Sequence, residues 1–281
     1  MSNVPPPFSS NYPRQQDQWG NYVRPPGVYF DTLQIAFDML QAGFLQYALG
    51  SLITFGVMGA IYMGFIAMVF ASGGLSQGGA ATNPLFASQS AALSPGTQLI
   101  LMLVLVFWTS LIYVCMMGQT SIAVLHAQGQ APSVANYFLP FKKLKSVVPA
   151  VLLMTLPYQL INFVSGEIAK SLGAAPLDPV MFVVPLLLFL FMFFAMGPSY
   201  LAITASVFSG LKPVTCYVES FRRMGWNALL LSLLLILASF VSGLGIIACC
   251  VGIIFTFPIF TNVIALHYLY YFPPTQPQRL G

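Results

Sequence analysis

Two histidine side chains are the best candidates for holding a cofactor in this chain. His126 and His267 are its only histidines, and each lies near the end of a long apolar run. Neutral imidazole is a common ligand of haem iron and of other metal centres. If the two runs cross a membrane, both imidazoles would lie near the same surface, at similar depth. Haem or a chlorophyll-type pigment bound by His126 and His267 is one interpretation; two unrelated interfacial side chains, with no cofactor, is the one we favour.

The four cysteines show no spacing that is typical of a metal site or a redox motif. They are Cys115, Cys216, Cys249 and Cys250, without a CxxC motif or a Cys/His cluster. Small polarizable side chains of this kind commonly pack inside proteins. We interpret the cysteines as packing residues, with a redox role for the adjacent Cys249 and Cys250 as the weaker alternative.

The acidic residues offer no pair suited to acid–base catalysis. They are Asp17, Asp31, Asp38, Glu167, Asp178 and Glu219. Proton-transfer catalysis needs groups within hydrogen-bond reach of the reacting atom, whereas Glu219 has a simpler role as an i, i+3 ion-pair partner of Arg222. No glycine-rich phosphate loop follows a predicted strand. We therefore expect that the chain is not an enzyme.

A long stretch without charged residues indicates which elements would position any site. Residues 39–141 include no Lys, Arg, Asp or Glu, and the whole chain is 58% hydrophobic and only 6% charged. Because a soluble domain has roughly a quarter of its residues charged, this stretch must face lipid. The same absence removes the intramembrane charges that proton relays and ion-coupled transporters use. The net charge of +4 does not indicate a nucleic-acid partner, because the basic residues are distributed as membrane topology requires.

Hydropathy predicts an all-α polytopic membrane protein with six transmembrane helices in three hairpins. A span needs about 20 mainly apolar residues. The six candidates cover residues 43–70, 97–125, 147–165, 180–208, 226–242 and 246–271. Since only Gly243–Gly245 separates the last two, we expect a tight hairpin there.

The basic residues predict the orientation. Cytoplasmic loops carry an excess of Lys and Arg, and six spans place all of the basic residues except Lys170 on one side. Both termini are then cytoplasmic, and the protein lies in the cell inner membrane. The N-terminal region has no apolar segment typical of a cleavable signal peptide, so the first span would direct insertion.

Three segments that precede the odd-numbered spans resemble one another. They begin at Asp31, Ser133 and Pro213, and they align on Phe37, Phe141 and Phe221. In the first, Leu33, Phe37 and Leu40 would form one apolar face of a short helix; in the third, Cys216, Tyr217, Phe221 and Met224 would do so. We expect three interfacial amphipathic helices. The cations that would contact anionic lipid headgroups are Lys142, Lys143, Lys145, Arg222 and Arg223.

Polar residues and prolines also occur within the spans. The polar ones are Gln119, Thr120, Gln159, Asn162, Thr204, Thr256 and Asn262. Hydrogen bonds between helices explain them adequately, and a transport pathway is the alternative. The prolines are Pro157, Pro185, Pro198 and Pro258. Broken helices line binding sites in transporters, but membrane helices generally tolerate proline.

The N-terminal tail, residues 1–28, is rich in proline and aromatic residues. Such a composition cannot bury a core, so the tail should be extended or disordered on its own. Its aromatic side chains exceed what a spacer needs, and we expect Tyr12, Trp19 and Tyr22 to dock on a neighbouring protein. The membrane domain would then cover residues 29–272, and residues 273–281 would form a short cytoplasmic tail.

Residues 130–272 resemble a bacterial family of six-helix membrane proteins. The matching segments are Phe138-Leu-Pro-Phe-Lys-Lys, Val218-Glu-Ser-Phe-Arg-Arg-Met-Gly-Trp-Asn and the Gly243–Pro258 run with its Gly–Cys–Cys–Gly pattern. These are similar to the YciC-like proteins, which are related to the membrane domain beside some glycerophosphodiester phosphodiesterases. The family often has an Ala-Tyr-Arg-like end to its last span, where this chain has Ala265-Leu-His-Tyr. The resemblance implies a six-helix architecture and no particular activity.

The sequence therefore predicts a non-catalytic structural or accessory subunit of a larger membrane protein complex. Its partners would be other membrane proteins and a bilayer with anionic headgroups. A transporter or a lipid-handling membrane protein is the alternative.

Overall fold

The structure, a computed structural model, describes residues 27–71, 95–171, 179–247 and 252–273. Within these ranges the chain forms α-helices and one short 3₁₀ helix, with no strand. The 3₁₀ helix covers Val134–Phe138. The α-helices are α1 (Thr32–Ala42), α2 (Phe44–Ala71), α3 (Pro95–Ala127), α4 (Leu139–Lys142), α5 (Leu144–Ser171), α6 (Pro179–Phe208), α7 (Pro213–Met224), α8 (Asn227–Ile247) and α9 (Gly252–Tyr271).

Five of the described helices are long and apolar enough to cross a membrane. They are α2, α3, α6, α8 and α9, over Phe44–Gly64, Met102–Ala127, Phe189–Phe208, Asn227–Gly245 and Gly252–Tyr271. In α5 the described apolar stretch is shorter, Leu144–Pro157. Length and composition thus define an all-α multi-pass membrane protein, and the helix ends lie close to those predicted from hydropathy.

Short and long helices alternate in a pattern that occurs three times. A short helical segment precedes each of the long helices α2, α5 and α8, as the three similar sequence segments predicted. The first two corners have nearly the same backbone, with φ −124° and ψ 28° at Gly43 and φ −115° and ψ 26° at Lys143. The third corner, Gly225, has φ 51°, which glycine adopts readily. The aligned phenylalanines Phe37, Phe141 and Phe221 lie at different distances from these corners, so the corners are the better reference points.

The six long helices form a closed ring. In order around it, α2 contacts α3, α3 contacts α5, α5 contacts α6, α6 contacts α8, α8 contacts α9, and α9 contacts α2. Three of them, α3, α6 and α9, also contact one another. Each short segment packs on one of these three inner helices: α1 on α9, the 3₁₀ helix with α4 on α3, and α7 on α6. The chain is therefore three similar units, the third of which closes on the first.

The packed core lies at the end of the bundle where the inner helices end. Leu125, Leu201 and Leu266 lie here and are at most 1% exposed. In the first halves of α3 and α6, by contrast, Phe107 is 66% exposed and Phe189 is 64% exposed. We call the packed end the core end of the bundle, and it also carries the three short segments.

One detail of the sequence prediction was wrong. Gly243–Gly245 does not form a hairpin, because α8 continues to Ile247 and the connection falls on residues 248–251, outside the described ranges. Gly245 instead lies against Gly252, where any side chain would collide. Close approach of α8 and α9, held by a 3.1 Å hydrogen bond from Ser242 Oγ to the Thr256 carbonyl oxygen, explains this glycine.

The face of α1 that packs on the bundle differs from the apolar face predicted from the sequence. Phe37, assigned to that face together with Leu33 and Leu40, is 42% exposed. The buried positions are Thr32, Ile35, Ala36, Met39 and Leu40. Because α1 packs on α9, the small side chain Ala36 takes the contact position and Phe37 is turned outward.

Candidate functional site

The buried face of α2 is polar, although the helix is long enough to cross a membrane. Tyr47, Ser51 and Thr54 are each 0% exposed, and Gly50 is buried with them. Their i, i+3, i+4, i+7 spacing places them on one side of the helix, where α3 and α9 pack. We define the polar seam as the contact made by Tyr47, Gly50, Thr54, Cys115, Gln119, His126 and Tyr137.

Hydrogen bonds join α2 to α3 along the polar seam. The Tyr47 hydroxyl lies 3.0 Å from His126 Nδ1. The Gln119 amide donates from Nε2 to the Tyr47 carbonyl oxygen at 3.1 Å. Gln119 Oε1 lies so close to Gly50 that a Cβ atom there would overlap it. Glycine at position 50 is therefore what admits the glutamine side chain between the helices.

Tyr137 enters the polar seam from the 3₁₀ helix. Its hydroxyl lies 3.0 Å from Thr54 Oγ1, beside the buried Cys115. The ring and backbone pack against Gly118, where a Cβ atom would lie 2.7 Å from the Tyr137 carbonyl oxygen. Burial raises the pKa of Tyr137, so the phenol stays neutral and can donate or accept a hydrogen bond. The 3₁₀ helix is thus fixed to α2 and α3 by one residue.

The two histidines lie in separate settings. His126, 7% exposed, pairs with Tyr47 across helices. His267, 0% exposed, bonds from Nδ1 to the Val263 carbonyl oxygen of its own helix at 2.9 Å and stacks edge-on against Tyr270. Among the described residues no group of three His, Cys, Asp or Glu side chains could hold a metal ion.

A haem or pigment bound through these histidines stays a prediction. Since each Nδ1 is already engaged, a ligand bond would have to come from Nε2. A visible absorption spectrum of the purified protein tests it, because a bound haem gives a Soret band. Loss of that band in both His126→Ala and His267→Ala would support joint ligation, and a spectrum with no visible band would remove the idea.

Other polar side chains also join helices, as the sequence predicted. Asn262 donates from Nδ2 to the Ala36 carbonyl oxygen of α1 at 3.0 Å, and Thr256 bonds to the Ser242 carbonyl oxygen of α8 at 2.5 Å. Thr204 lies 3.7 Å from Met117 Sδ, whereas Thr120 bonds within its own helix, to Met116. The side chain of Asn162 lies outside the described residues. Most of these groups therefore hold the bundle together.

Two of the five predicted headgroup-binding cations donate to carbonyl oxygens at helix ends, although the Arg223 side chain stays 40% exposed. Lys143 donates from Nζ to the Val207 carbonyl oxygen at 2.6 Å, near the end of α6, next to a bond from Ser146 to Ser206. Arg223 donates from Nη1 to the Tyr271 carbonyl oxygen at 2.7 Å, at the end of α9. Cations at a helix C-terminus pair with its unsatisfied carbonyls and with the negative end of its dipole. Lys143 and Arg223 thus cap two inner helices.

The other three predicted cations, Lys142, Lys145 and Arg222, are exposed. Arg222 forms a 2.8 Å ion pair with Glu219 and keeps 71% of its side chain exposed. The hydrogen bond from Arg223 is the main cause that lowers the pKa of the Glu219 carboxyl group. The hydrogen bond from Arg222 and the positive charges of both arginines lower this pKa further, so Glu219 is ionised near pH 7. Headgroup contact by these three residues stays a prediction.

Several predicted residues lie outside the described ranges. They are the docking candidates Tyr12, Trp19 and Tyr22 and the vicinal Cys249 and Cys250. Three residues of the polar seam were not predicted from the sequence: Tyr47, Thr54 and Tyr137. The small and polar i, i+3, i+4, i+7 pattern of α2 was a signal for the first two, whereas Tyr137 lies in a 3₁₀ helix with no periodicity to reveal it.

The fold and the polar seam together define the class: an all-α multi-pass membrane protein in which several of the described buried polar side chains join its helices. Comparison of the chain with models of protein families, with curated proteins and with solved structures finds no match. The likeness of residues 130–272 to the YciC-like proteins accordingly stays a prediction.

Substituting Gly118 tests the position of Tyr137. In Gly118→Ala the added methyl group meets the Tyr137 backbone, which cannot rotate away, and we expect a loss of about 1–3 kcal/mol of stability. Gly59→Ala on α2 is the control, because nothing lies within 4 Å of its Cβ position. Denaturant unfolding in detergent measures both. Equal stability of the two variants would contradict the packing described.

Adjacent basic residues provide a matched test of helix capping. Lys143→Met and Arg223→Met keep the apolar stem but remove the bonds to α6 and α9, so each should lose about 1–2 kcal/mol of unfolding free energy. Lys142→Met and Arg222→Met are the controls, since among the described hydrogen bonds neither side chain donates to a helix-end carbonyl oxygen. If the control variants lose as much stability as the capping variants, general charge and not capping is responsible.

Proposed function

We propose that this chain is a non-catalytic structural or accessory subunit of a larger membrane protein complex. The observation that carries this proposal is how the polar side chains are used. The five apolar spans contain no Lys, Arg, Asp or Glu. The bonds of Tyr47, Gln119 and Asn262 run between helices of the same chain. Such an arrangement suits a rigid scaffold, because these side chains bond one helix to another.

We place six spans in the membrane, with α5 as the sixth. This 28-residue helix is about 42 Å long at 1.5 Å per residue. It lies between α3 and α6 in the ring, where a helix that stayed outside the bilayer would leave a gap. The two prolines inside it, Pro149 and Pro157, are compatible with a membrane helix.

We assign the core end of the bundle to the cytoplasmic side of the inner membrane. The described cations at this end are Lys142, Lys143, Lys145, Lys212, Arg222 and Arg223. A Lys and Arg excess marks the cytoplasmic face. Tyr29, which follows the N-terminal tail, packs edge-on against Tyr270 near the end of α9, so both termini would leave from this same side.

The apolar surface away from the core end is where a partner could pack. Leu186, Phe189 and Phe191 of α6 are 56%, 64% and 58% exposed, and these positions point in different directions around the helix. Lipid or another membrane protein must cover them. The aromatic tail residues Tyr12, Trp19 and Tyr22 provide a second contact, on the cytoplasmic side.

Native purification tests the proposal. The tagged chain, extracted in mild detergent and passed through affinity and size-exclusion steps, should retain a membrane protein partner at fixed stoichiometry. A variant lacking residues 2–26 should lose or weaken that association while keeping its own thermal stability, because the removed residues precede the described fold. A chain that elutes alone under every mild extraction condition would refute the accessory role.

A transporter or lipid-handling protein is the second candidate. It is supported by Pro149, Pro157 and Pro258 within helices and by the exposed first half of α6. Both α5 and α9 are continuous through these prolines, but proline can kink a helix, and a kinked helix beside exposed apolar surface could open a substrate pathway. A chain that purifies alone and gains thermal stability with a defined solute or lipid would favour this function.

A further inference from the structure

The three short segments form a collar around the core end of the bundle. We define the collar as α1, the 3₁₀ helix with α4, and α7 with its corner to α8. Its outward side chains are large and apolar: Phe37 is 42% exposed, Phe138 47%, Val218 59% and Trp226 87%. Tryptophan is enriched where a membrane meets water, and amphipathic helices lie at the same level. The collar therefore has the composition of an element at the headgroup boundary.

Charge is distributed unequally around the collar. The second and third segments, together with the residues directly next to them, carry the exposed cations Lys142, Lys145, Lys212 and Arg222. The first has Asp38 exposed and no Lys or Arg at all. Since Lys143 and Arg223 are used as helix caps, the cations open to a ligand lie on two of the three units.

Contacts bring the cations of these two units to one place. Lys143 fixes the corner before α5 to Val207 at the end of α6, and the chain reaches Lys212 a few residues later. The Tyr217 hydroxyl donates to the Ala150 carbonyl oxygen at 3.0 Å, which holds α7 against α5. Glu219 is the described carboxylate among them, and its charge is paired with Arg222 and Arg223. The result is one basic patch, made of Lys142, Lys145, Lys212 and Arg222.

We infer that this basic patch binds the headgroups of anionic phospholipids, and that the acidic α1 side of the collar does not. Exposed Val214, Val218 and Trp226 would meet the acyl boundary, while the cations beside them meet phosphate groups. The annular lipid is then chemically asymmetric around the chain, with anionic lipid concentrated at the α4–α7 side. This inference does not depend on the accessory-subunit proposal.

Lipid titration tests the inference on the full chain. Delipidated protein in a neutral detergent is titrated with fluorescent phosphatidylglycerol and, separately, with phosphatidylcholine. The patch variant combines Lys142→Gln, Lys145→Gln, Lys212→Gln and Arg222→Gln. The control combines Arg14→Gln, Arg24→Gln, Lys170→Gln and Arg279→Gln, which removes the same charge elsewhere. Because one cation contributes about fivefold in affinity, the patch variant should bind phosphatidylglycerol more than about tenfold more weakly, and the control should match the wild type.

Further measurements distinguish binding of anionic lipid from binding of neutral lipid or of free phosphate. Phosphatidylcholine binding should be equal in all three proteins, and millimolar inorganic phosphate should not displace phosphatidylglycerol, because the apolar contacts belong to lipid. Thermal unfolding checks that each variant is folded. Should the combined patch variant unfold, the pairs Lys142→Gln with Lys145→Gln and Lys212→Gln with Arg222→Gln carry the test, each with about a tenfold or larger loss. Wild-type affinity in the patch variants, or an equal loss in the control, overturns the inference.

Discussion

The ends of three inner helices impose the constraint on which the rest of this structure depends. Each α-helix leaves its last carbonyl groups without partners, and α3, α6 and α9 end inside the most tightly packed part of the chain. At α3 the backbone supplies the bonds: Gln130 donates to the Leu125 carbonyl, and Gly129, with φ 83°, makes the required turn. At α6 and α9 the bonds come from Lys143 and Arg223. The three helix ends are capped by different groups, but in each case the polar corner lies at the same level of the bundle.

These caps give a role to the short helical segments of the second and third units. A cation that caps an inner helix must be held at the membrane boundary, beside the helix end and away from hydrocarbon. The corner between a short and a long helix does this, because its residues emerge where the long helix begins. In the first unit, which has no basic corner, Tyr47 on α2 bonds to His126 near the end of α3. The polar seam thus occupies the place that a cation occupies in the other two units.

The three units therefore differ mainly in their polar and charged side chains, while the packing of their helices is similar. The ring order and the position of each short segment are common to the three units. The first unit differs by its polar seam and its acidic α1, the second by the 3₁₀ helix that carries Tyr137, and the third by its Glu219–arginine pairs. The side chains at the corners can change while the backbone stays similar, because each corner contacts the end of only one neighbouring helix.

The sequence by itself determined the class, the approximate ends of the long helices and the presence of three short segments before them. Hydropathy and the spacing of apolar residues are local quantities, and the bilayer requires helices of a set length wherever they occur. Interhelical use of Gln119, Thr256 and Asn262 followed from the same reasoning, without the identity of their partners. Only the tertiary structure decided those partners: Asn262 reaches Ala36, 226 residues away, and Lys143 binds a carbonyl oxygen while neighbouring Lys142 is exposed. It also showed that Gly243–Gly245 lies in a helix. Glycine is common both in turns and where two helices pack closely, and only the residues that lie opposite it in space distinguish these two roles.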